Sequence, residues 1–544
     1  MTAGWSLVAA NDAVTAAIGD RDMLVWGDDR RTYAEVADRT RGLAGFLVDH
    51  GITVERERSE LERWECGQAT VALVMHNRPE YFETMFGAYR ARAVPFNVNH
   101  HYRPHEIASL FEMLDAKAVV YAREQAPLLA EALAGRDDLV LLDIEDGTGH
   151  APLPGSVPFE AAIAAGRTDA LPVPSPDDLY LVCTGGTTGS PKAVLWRQAD
   201  IFVAGMAGSD DFTPETLGAW ARDIGGRWFA APPLMHAAAQ WTAFCGLHVG
   251  ATIVVHDDRG RFDARALLEV CERERINIVS IVGDAYARPM VEELQRRAYD
   301  LSSLERIGTG GAVTSEHLKV ALLDLLPHVT VMDGYGASET GGMAFGARRK
   351  DGPVEGLAPG PGAVVLSADR SRLLEPGEDE EGWTARRGRV PLGYLNDRAA
   401  TEATFPIVDG ERFAVPGDRA TLDGAGGIHI LGRDSMVVNT GGEKVFVEEV
   451  EEQLRTHPAV FDALVVGRPS DRFGQEVVGV VQLRPGTTAT PAELRDHCAE
   501  RLARFKAPRA IAFCDEIGRH PSGKPDYQWV KAAATHAVDA TAEG

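Results

Sequence analysis

The chain has 544 residues, more than a single hydrophobic core usually organises, so we expect at least two domains. Apolar residues make up 45% of the chain and charged residues 25%, which excludes a disordered or fibrous protein. The formal net charge of −25 repels polyanions and therefore disfavours nucleic acid and anionic membrane surfaces as partners.

Six cysteines are scattered without Cys-x-x-Cys spacing, which argues against a zinc site or a disulfide framework. The N-terminus lacks a basic region followed by an apolar core, and no run approaches the roughly 20 apolar residues of a membrane span. We therefore expect a cytoplasmic protein with no integral membrane segment, and we leave a homodimer open.

The first part of the chain alternates between two patterns. Apolar runs at 72–75 and 118–121 indicate strands, and residues 79–93 between them indicate a helix. This alternation predicts a layered α/β domain. A proline-rich stretch, 151–177, then predicts a surface connection into the next strand.

A glycine-rich loop, Thr184-Gly-Gly-Thr-Thr-Gly-Ser-Pro-Lys192, follows the apolar run 179–183, which predicts a buried strand. Its glycines allow close backbone approach, and its hydroxyls add donors suited to phosphate oxygens. Pro191 separates Ser190 from Lys192, so the loop is not a Walker loop. The open alternatives are a triphosphate-binding loop and an ordinary polar turn between strands.

The middle of the chain repeats the alternation. Residues 251–256 and 276–282 indicate strands, and 264–275 indicate a helix between them. Two further glycine-rich loops, 308–312 and 334–340, accompany strand-like runs. In an α/β sheet such loops collect at the carboxyl edge of the strands, where ligands bind.

The pattern changes after Arg433. We predict a helix at 446–454, strands at 463–466, 477–483 and 510–513, and a helix at 491–505, which together form a compact α+β unit. Lys524 lies in a loop of small residues in this unit. The Ala- and Thr-rich tail, 532–544, has little apolar surface to bury, so we expect it to be frayed.

Five motifs resemble, in order and spacing, the core motifs of adenylate-forming enzymes. They are Thr184 to Lys192, Gly334 to Thr340, Gly417-Asp418, Gly432-Arg433 and Pro521-Ser-Gly-Lys524. The likeness runs over nearly the whole chain and is greatest to acyl-CoA synthetases. The stretches 281–285, 392–395 and 441–446 resemble the bacterial fatty-acyl and steroid-acid CoA ligases.

This resemblance implies an α/β fold with a large N-terminal domain of several subdomains and a small, mobile α+β C-terminal domain. The implied boundaries are 1–432 for the ATP- and acyl-binding domain, 433–437 for the hinge and 438–544 for the mobile domain. The implied reaction uses ATP, Mg²⁺ and coenzyme A to convert a small-molecule carboxylic acid, through an acyl-adenylate and pyrophosphate, into acyl-CoA and AMP.

The resemblance also assigns the nucleotide site. Gly310, Gly311 and Ala312 would lie against the purine, Tyr335 would stack on its other face, and Asp418 would bind the ribose hydroxyls. The full set of ATP- and AMP-binding residues comprises Thr184, Gly185, Gly186, Thr187, Thr188, Gly189, Lys192, Gly310, Gly311, Ala312, Asp333, Gly334, Tyr335, Gly336, Ser338, Asp418, Arg433 and Lys524. Considered alone, Tyr335 is more simply a core residue, and Asp and Arg at turns, such as Asp418 and Arg433, are more often caps or surface ion pairs.

Three residues carry the implied chemistry. Glu339 would hold Mg²⁺, Lys524 would support adenylation, and His236 would stand near the acyl pocket. Outside the resemblance, Glu339 and Lys524 are ordinary exposed side chains, and His236 is a partly buried core histidine.

The remaining assignments concern coenzyme A, the acid and the hinge. Gly441 and Gly442 would line the thiol tunnel, and Ser435 stands in the hinge where relatives usually carry Asp or Lys. Ala193 replaces a glycine common after the loop lysine. The predicted acyl pocket comprises Trp228, Phe229, Gln240, Trp241, Val282, Asp284 and Tyr286, chosen because such cavities are mostly apolar.

Two alternatives stay open beside the CoA ligase. An acyl-AMP ligase would pass acyl groups to a carrier protein, and such enzymes often carry an insertion that hinders domain rotation. No insertion is evident between Asp418 and Arg433. A non-catalytic adenylate-binding scaffold is the second alternative, and the presence of both Glu339 and Lys524 argues against it.

Overall fold

The structure is a computed structural model, and it describes residues 4–184, 191–257, 259–260, 262–352, 357–433, 436–440, 443–470, 473–520 and 524–539. Its first part alternates strands and helices as the apolar pattern predicts. The helices are α1 (Leu7–Ile18), α2 (Tyr33–Asp49), α3 (Pro79–Arg90), α4 (Pro104–Met113), α5 (Ala126–Ala132) and α6 (Phe159–Ala165), with short 3₁₀ turns at Arg58–Glu60 and Arg123–Gln125. The strands are β1 (Asp22–Trp26), β2 (Asp29–Thr32), β3 (Thr70–Val74), β4 (Val94–Asn97), β5 (Ala116–Ala122), β6 (Val140–Ile144), β7 (Val157–Pro158) and β8 (Leu179–Thr184).

The middle part continues this alternation. Its helices are α7 (Gln198–Gly205), α8 (Pro214–Asp223), α9 (Ala237–His248), α10 (Ala264–Arg273), α11 (Gly283–Arg296) and α12 (Glu316–Leu325). Its strands are β9 (Lys192–Arg197), β10 (Arg227–Ala230), β11 (Thr252–Val254), β12 (Ile278–Ile281), β13 (Arg306–Gly310), β14 (Thr330–Ala337), β15 (Gly341–Arg348) and β16 (Ala358–Pro359).

The last part is richer in strands. Its helices are α13 (Arg398–Thr404), α14 (Val447–Arg455), α15 (Pro491–Ala499) and α16 (Tyr527–Ala534). Its strands are β17 (Ala363–Leu366), β18 (Gly382–Arg387), β19 (Gly393–Tyr394), β20 (Ile407–Val408), β21 (Glu411–Ala414), β22 (Asp418–Leu422), β23 (Ile428–Arg433), β24 (Val437–Thr440), β25 (Glu443–Phe446), β26 (Val460–Ser470), β27 (Gly474–Leu483), β28 (Ala510–Cys514) and β29 (Val538–Asp539).

Within the described residues these strands form five sheets. The largest has nine strands in the order β16-β15-β14-β13-β12-β10-β11-β1-β2, and a parallel sheet has the order β4-β3-β5-β6-β7. A three-stranded sheet, β19-β9-β8, lies beside them. One six-stranded sheet contains β17, β18 and β20 to β23, and the other contains β24 to β29. The predicted α/β class is therefore confirmed.

The parallel core of the nine-stranded sheet explains where the glycine-rich loops lie. Strands β10, β11, β12, β13 and β14 pair in parallel, so their carboxyl ends share one edge. The loop 308–312 begins within β13, and the loop 334–340 begins within β14. Gly310 and Gly334 are direct register partners, which brings the two loops side by side.

The prediction of a frayed tail is wrong for part of the segment. Helix α16 continues to Ala534, and β29 pairs antiparallel with β28 through Ile511 and Val538. Pairing with β28 and the burial of Ala534 in the core of the small domain order this part of the segment. Residues 540–544 lie outside the described residues.

The structure also describes the cysteines and the apolar character of the helices. All six cysteines are free thiols in the structure. Among the described residues, none of the helices combines the length and the apolar character that crossing a membrane requires.

His248 at the end of α9 is a buried histidine in the core. Its Nδ1 lies 2.7 Å from the carbonyl oxygen of Met206, and its ring packs against Phe202 and Phe244 at centroid distances of 4.9 and 6.0 Å. Burial lowers the pKa of His248 to about 4, although the hydrogen bond to Met206 opposes the shift. The folded protein therefore holds this imidazole neutral.

We expect acid to destabilise the protein through His248. Between pH 6.5 and pH 4 the unfolded chain binds a proton here that the folded chain does not, so this part of the stability is present above pH 6.5 and is lost as the pH falls. His248→Gln, which keeps a side-chain donor but does not titrate, should lose about 3 kcal/mol less between pH 7 and pH 4. Denaturant titrations at both pH values measure the difference, and identical losses in the two proteins would contradict the assignment.

Candidate active site

Tyr335 and Asp418, the predicted purine and ribose residues, lie in contact. The Tyr335 hydroxyl donates a hydrogen bond of 2.6 Å to Oδ2 of Asp418 and lies 3.1 Å from the Thr384 hydroxyl. Asp418 is only 6% exposed. The end of β14 and the start of β22 are therefore in contact. This contact could not be predicted from the sequence, because the two motifs are far apart in the chain.

The turn before β22 positions this carboxylate. Gly417 has a φ of +99°, which strongly favours glycine, and Asp418 is the next residue. Asp418 pairs directly with Arg433 in the antiparallel ladder of β22 and β23. The backbones of the two predicted ribose-side residues are therefore neighbours.

Lys192 and Glu339 converge on one aromatic side chain. The Lys192 ammonium lies 4.6 Å from the ring centroid of Tyr394, and the Tyr394 hydroxyl donates a 2.8 Å hydrogen bond to Oε1 of Glu339. Lys192 also pairs with Thr184 across β8 and β9. A cation and a carboxylate thus stand at the end of the hairpin that carries the predicted phosphate loop.

The residues present fit a magnesium ion held mainly by its substrate. Glu339 is half-buried and presents carboxylate oxygen, the ligand type that Mg²⁺ prefers. In the described ranges no group of three or more His, Cys, Asp or Glu side chains could hold a metal by itself. A Mg²⁺ ion at Glu339 would therefore take its other ligands from nucleotide phosphates and water.

The loop that contains Glu339 is held from two sides. Trp196 Nε1 donates to the Ser338 carbonyl at 2.8 Å, and the Arg386 guanidinium donates to the carbonyls of Thr340 and Gly342 at 3.0 and 2.8 Å. Burial lowers the pKa of Arg386 to about 10, which still leaves it charged at neutral pH. These bonds restrict where Glu339 can point.

Lys524 reaches the large sheet at Gly311, one of the predicted nucleotide-binding residues. Its Cε lies 3.9 Å from the position that a Cβ on Gly311 would occupy, and Gly311 itself has a φ of +74°. A side chain at position 311 would therefore meet both backbone strain and the lysine. The structure brings together Gly311 and Lys524, which are far apart in the chain.

Asp333 is engaged in an ion pair. Its Oδ2 accepts a 2.5 Å hydrogen bond from the Lys319 ammonium on α12. Its backbone still lies in β14 opposite Thr309. Asp333 can therefore contribute to a nucleotide pocket through its main chain while its carboxylate pairs with Lys319.

The predicted acyl-pocket residues fall in two core clusters, with Trp228 and Trp241 packed against the cluster that contains α9, and Phe229, Val282 and Tyr286 in the cluster that contains α10 and α11. His236 is the N-cap residue of α9 and is half-buried. Asn97 holds the preceding turn against β8, because its Nδ2 donates to the carbonyls of Met235 and Cys183 at 2.6 and 3.1 Å, and its Oδ1 accepts from the Cys183 N–H at 2.9 Å.

Gln240 and Asp284, two polar residues predicted to line the acyl pocket, form hydrogen bonds to other residues of the protein. Gln240 accepts from the Tyr180 hydroxyl at 2.7 Å and donates to the Leu234 carbonyl at 2.8 Å. Asp284 accepts from the N–H and the hydroxyl of Ser315 at 2.7 and 2.5 Å. The other predicted lining residues are apolar or aromatic, with Phe229, Val282 and Tyr286 buried and Trp228 and Trp241 half-buried.

Several predicted residues lie outside the described residues. They are Gly185, Gly186, Thr187, Thr188, Gly189, Ser435, Gly441 and Gly442. For Arg433 only the backbone position is described.

Sequence reasoning missed four residues that contact the predicted site. Thr384, Arg386 and Asn97 carried no local signal because their partners are distant in the chain. Tyr394 lies in the stretch 392–395, which resembles the CoA ligases, so that likeness was the one signal that could have found it.

Comparisons with known proteins identify the family. Residues 12–394 match the AMP-binding enzyme family, and residues 449–524 match the AMP-binding enzyme C-terminal domain. The chain is 42% identical to the medium-chain acyl-CoA ligase Mig of Mycobacterium avium, over 98% of this chain and 99% of that protein. It is 35% identical to the 3-oxocholest-4-en-26-oate–CoA ligase of Rhodococcus rhodochrous, over 92% and 90% of the two chains.

A solved structure shows the same fold. The anthranilate CoA ligase AuaEII in complex with anthranoyl-AMP superposes with a TM-score of 0.82 at 22% identity, covering 98% of both chains. At this identity the likeness concerns the fold alone. Because the family match covers most of the chain and the two relatives align over nearly their full lengths, the chain belongs to the AMP-binding enzyme family.

Proposed function

We propose that this chain is an ATP-dependent acid–CoA ligase that forms an acyl-adenylate and then an acyl-CoA from a fatty or steroid-derived acid. The observation that carries the proposal is the position of Lys524 beside Gly311, at the sheet edge where Tyr335 and Asp418 also meet. The names of the two relatives support the choice of a fatty or a steroid acid.

In the first step, a carboxylate oxygen of the acid attacks the α-phosphorus of ATP, the bond to the bridging oxygen breaks, and pyrophosphate leaves. Because an anion approaches a polyanion, the site must supply positive charge and fixed donors. Lys192 and Lys524 supply ammonium groups, and Asp418 orients the ribose. A Mg²⁺ ion at Glu339 would neutralise phosphate charge.

In the second step, the sulfur of coenzyme A attacks the acyl carbon and AMP leaves. We propose that the small domain, 438–544, turns about the hinge 433–437 between the two steps, so that Lys524 withdraws and Gly441 and Gly442 line the path of the thiol. Hinge rotation is an established way for one site to perform two reactions. With Ser435, this hinge would lack the charged Asp or Lys that relatives usually carry at the same position.

Three finer expectations belong to this proposal. Mg²⁺ binds with the nucleotide at Glu339. The enzyme works in the cytoplasm, where its six free thiols stay reduced. Sedimentation tests whether the chain forms a homodimer.

One observation favours coenzyme A over a carrier protein as the acceptor. Strands β22 and β23 are joined by a short turn, 423–427, in which Asp423 Oδ1 accepts from the Ala425 and Gly427 N–H groups at 2.8 Å. The segment between Asp418 and Arg433 thus holds no inserted element that would obstruct rotation.

A pyrophosphate-release assay with a panel of acids of graded size tests the function. We expect release with medium-chain or steroid acids, and consumption of coenzyme A equal to the pyrophosphate formed. Release that coenzyme A does not affect, with acyl transfer to a carrier protein, would favour the acyl-AMP ligase. Adenylate binding without release for every acid would favour the scaffold.

A further inference from the structure

Arg288 of the large domain contacts the small domain. It lies on α11, and its guanidinium carbon is 4.4 Å from the ring centroid of Phe461 near the start of β26. The Arg288 side chain is only 7% exposed. A cation over an aromatic face that is shielded from water is stabilised more strongly than an exposed cation–π contact.

A β-bulge aims Phe461 at this arginine. In the ladder of β26 and β27, Val460 pairs with Leu483 and Asp462 pairs with Gln482, so Phe461 is an extra residue without a register partner. Bulges re-aim side chains in this way. Phe461 is consequently directed to the interface although its neighbours Val460 and Asp462 are buried in the small domain.

Asp462 connects the interface between Arg288 and Phe461 to the loop that carries Lys524. It accepts from Arg519 Nη2 at 2.7 Å and from Arg455 Nε at 3.1 Å, and it is 6% exposed. Arg519 forms an isolated bridge with Pro525, and the His520 N–H donates to the Lys524 carbonyl at 2.8 Å. Asp462 therefore holds the base of the loop that carries Lys524.

Charged groups of both domains surround Arg288. Burial lowers the pKa of Arg288, while the carboxylates of Asp462 and Asp284 oppose that shift and Arg484 and Arg455 reinforce it. The distance between Asp284 Oδ2 and Arg288 Nη2 is 3.7 Å.

The hydrogen bonding of Arg288 is incomplete in the docked arrangement. Its Nη2 makes no hydrogen bond to any described residue. Undocking would return this group to water, which offsets part of the lost attraction. The contact is therefore suited to a domain that must dock and release in every catalytic cycle.

We propose that Arg288 is a positioning residue for the first half-reaction, which acts through Phe461 and Asp462 to hold the small domain where Lys524 reaches the nucleotide site. This inference rests on the proposed alternation of the small domain between two arrangements. It assigns Arg288 no contact with the substrate, only an effect on the population of the adenylation arrangement.

The test separates the two half-reactions. Arg288→Met removes the charge and keeps an apolar side chain, and Phe461→Leu removes the ring. We expect each change to slow acid-dependent ATP–pyrophosphate exchange about 5- to 30-fold, the range expected when a desolvated cation–π contact is lost. Thioester formation from supplied acyl-adenylate should keep its rate, and Arg288→Lys should recover part of the exchange.

A double-variant cycle identifies the partner. If Arg288 acts through Phe461, the Arg288→Met/Phe461→Leu protein should exchange no more slowly than the slower single variant. Arg297→Met is the matched control, because Arg297 lies 4.7 Å from the Tyr299 ring within the large domain. It should leave both half-reactions unchanged.

Lys524→Ala measured in parallel distinguishes two failures. If Lys524→Ala lowers both half-reactions equally, the two-arrangement proposal is wrong. If Lys524→Ala affects exchange alone but Arg288→Met and Phe461→Leu lower both half-reactions equally, or leave exchange unchanged, the role of Arg288 is wrong. Thermal melting of each variant identifies loss of folding, and Phe461→Leu provides the test if Arg288→Met does not fold.

Discussion

Lys524→Ala is expected to abolish most pyrophosphate release while thioester formation from supplied acyl-adenylate continues. The lysine lies beside Gly311, where its ammonium can meet charge that develops on the phosphate. Loss of one preorganised donor to such charge typically slows a reaction by about 100- to 1,000-fold. Single-turnover assays of the two half-reactions measure the difference directly.

Two further variants accompany Lys524→Ala: one is its control, and the other should have the opposite effect. Lys531→Ala removes an exposed lysine from α16 in the same domain and should change neither half-reaction. Gly441→Trp should have the opposite effect, with normal pyrophosphate release and slow thioester formation. If Lys524→Ala slowed both half-reactions alike, the lysine would have no specific role in adenylation.

Asp418→Ala is expected to weaken ATP use strongly. The carboxylate is buried, and its two oxygens can accept from the paired hydroxyls of a ribose. Hydrogen bonds to a charged group contribute about 1.5 to 3 kcal/mol each, so loss of two should lower kcat/KM for ATP roughly 100- to 20,000-fold. The rate with supplied acyl-adenylate at saturation should fall less, since the acyl-adenylate is also held through its acyl group.

Tyr335→Phe tests the hydrogen bond between Tyr335 and Asp418 independently of the Asp418 carboxylate itself. This variant removes the hydroxyl that donates to Asp418 at 2.6 Å but keeps the ring that would stack on the purine. We expect kcat/KM for ATP to fall by no more than about 10-fold, the cost of one modest hydrogen bond. A larger loss in Tyr335→Phe than in Asp418→Ala would place the ribose elsewhere.

The sequence was most informative about local order. The apolar runs at 72–75, 118–121 and 276–282 correspond to β3, β5 and β12, and the helical patterns at 79–93 and 264–275 correspond to α3 and α10. These elements were predictable because side-chain periodicity depends only on neighbours in the chain. The predicted helix 491–505 was too long, since α15 ends at Ala499.

The sequence also predicted which residue types the site needs, through the order and spacing of its motifs. It could not predict that Tyr394 joins Lys192 to Glu339, or that Arg386 holds the loop 340–342, because these contacts span about 50 to 200 residues. Such partners are set by the packing of sheets rather than by local pattern.

By itself, then, the amino-acid sequence determined the alternation of strands and helices, the glycine-rich loops and the family to which they point. Only the tertiary structure decided that Tyr335 meets Asp418, that β29 orders part of the tail, and that Arg288 faces Phe461. The physical reason is that hydrophobic periodicity acts within an element, whereas hydrogen bonds and cation–π contacts between distant elements exist only after those elements have packed.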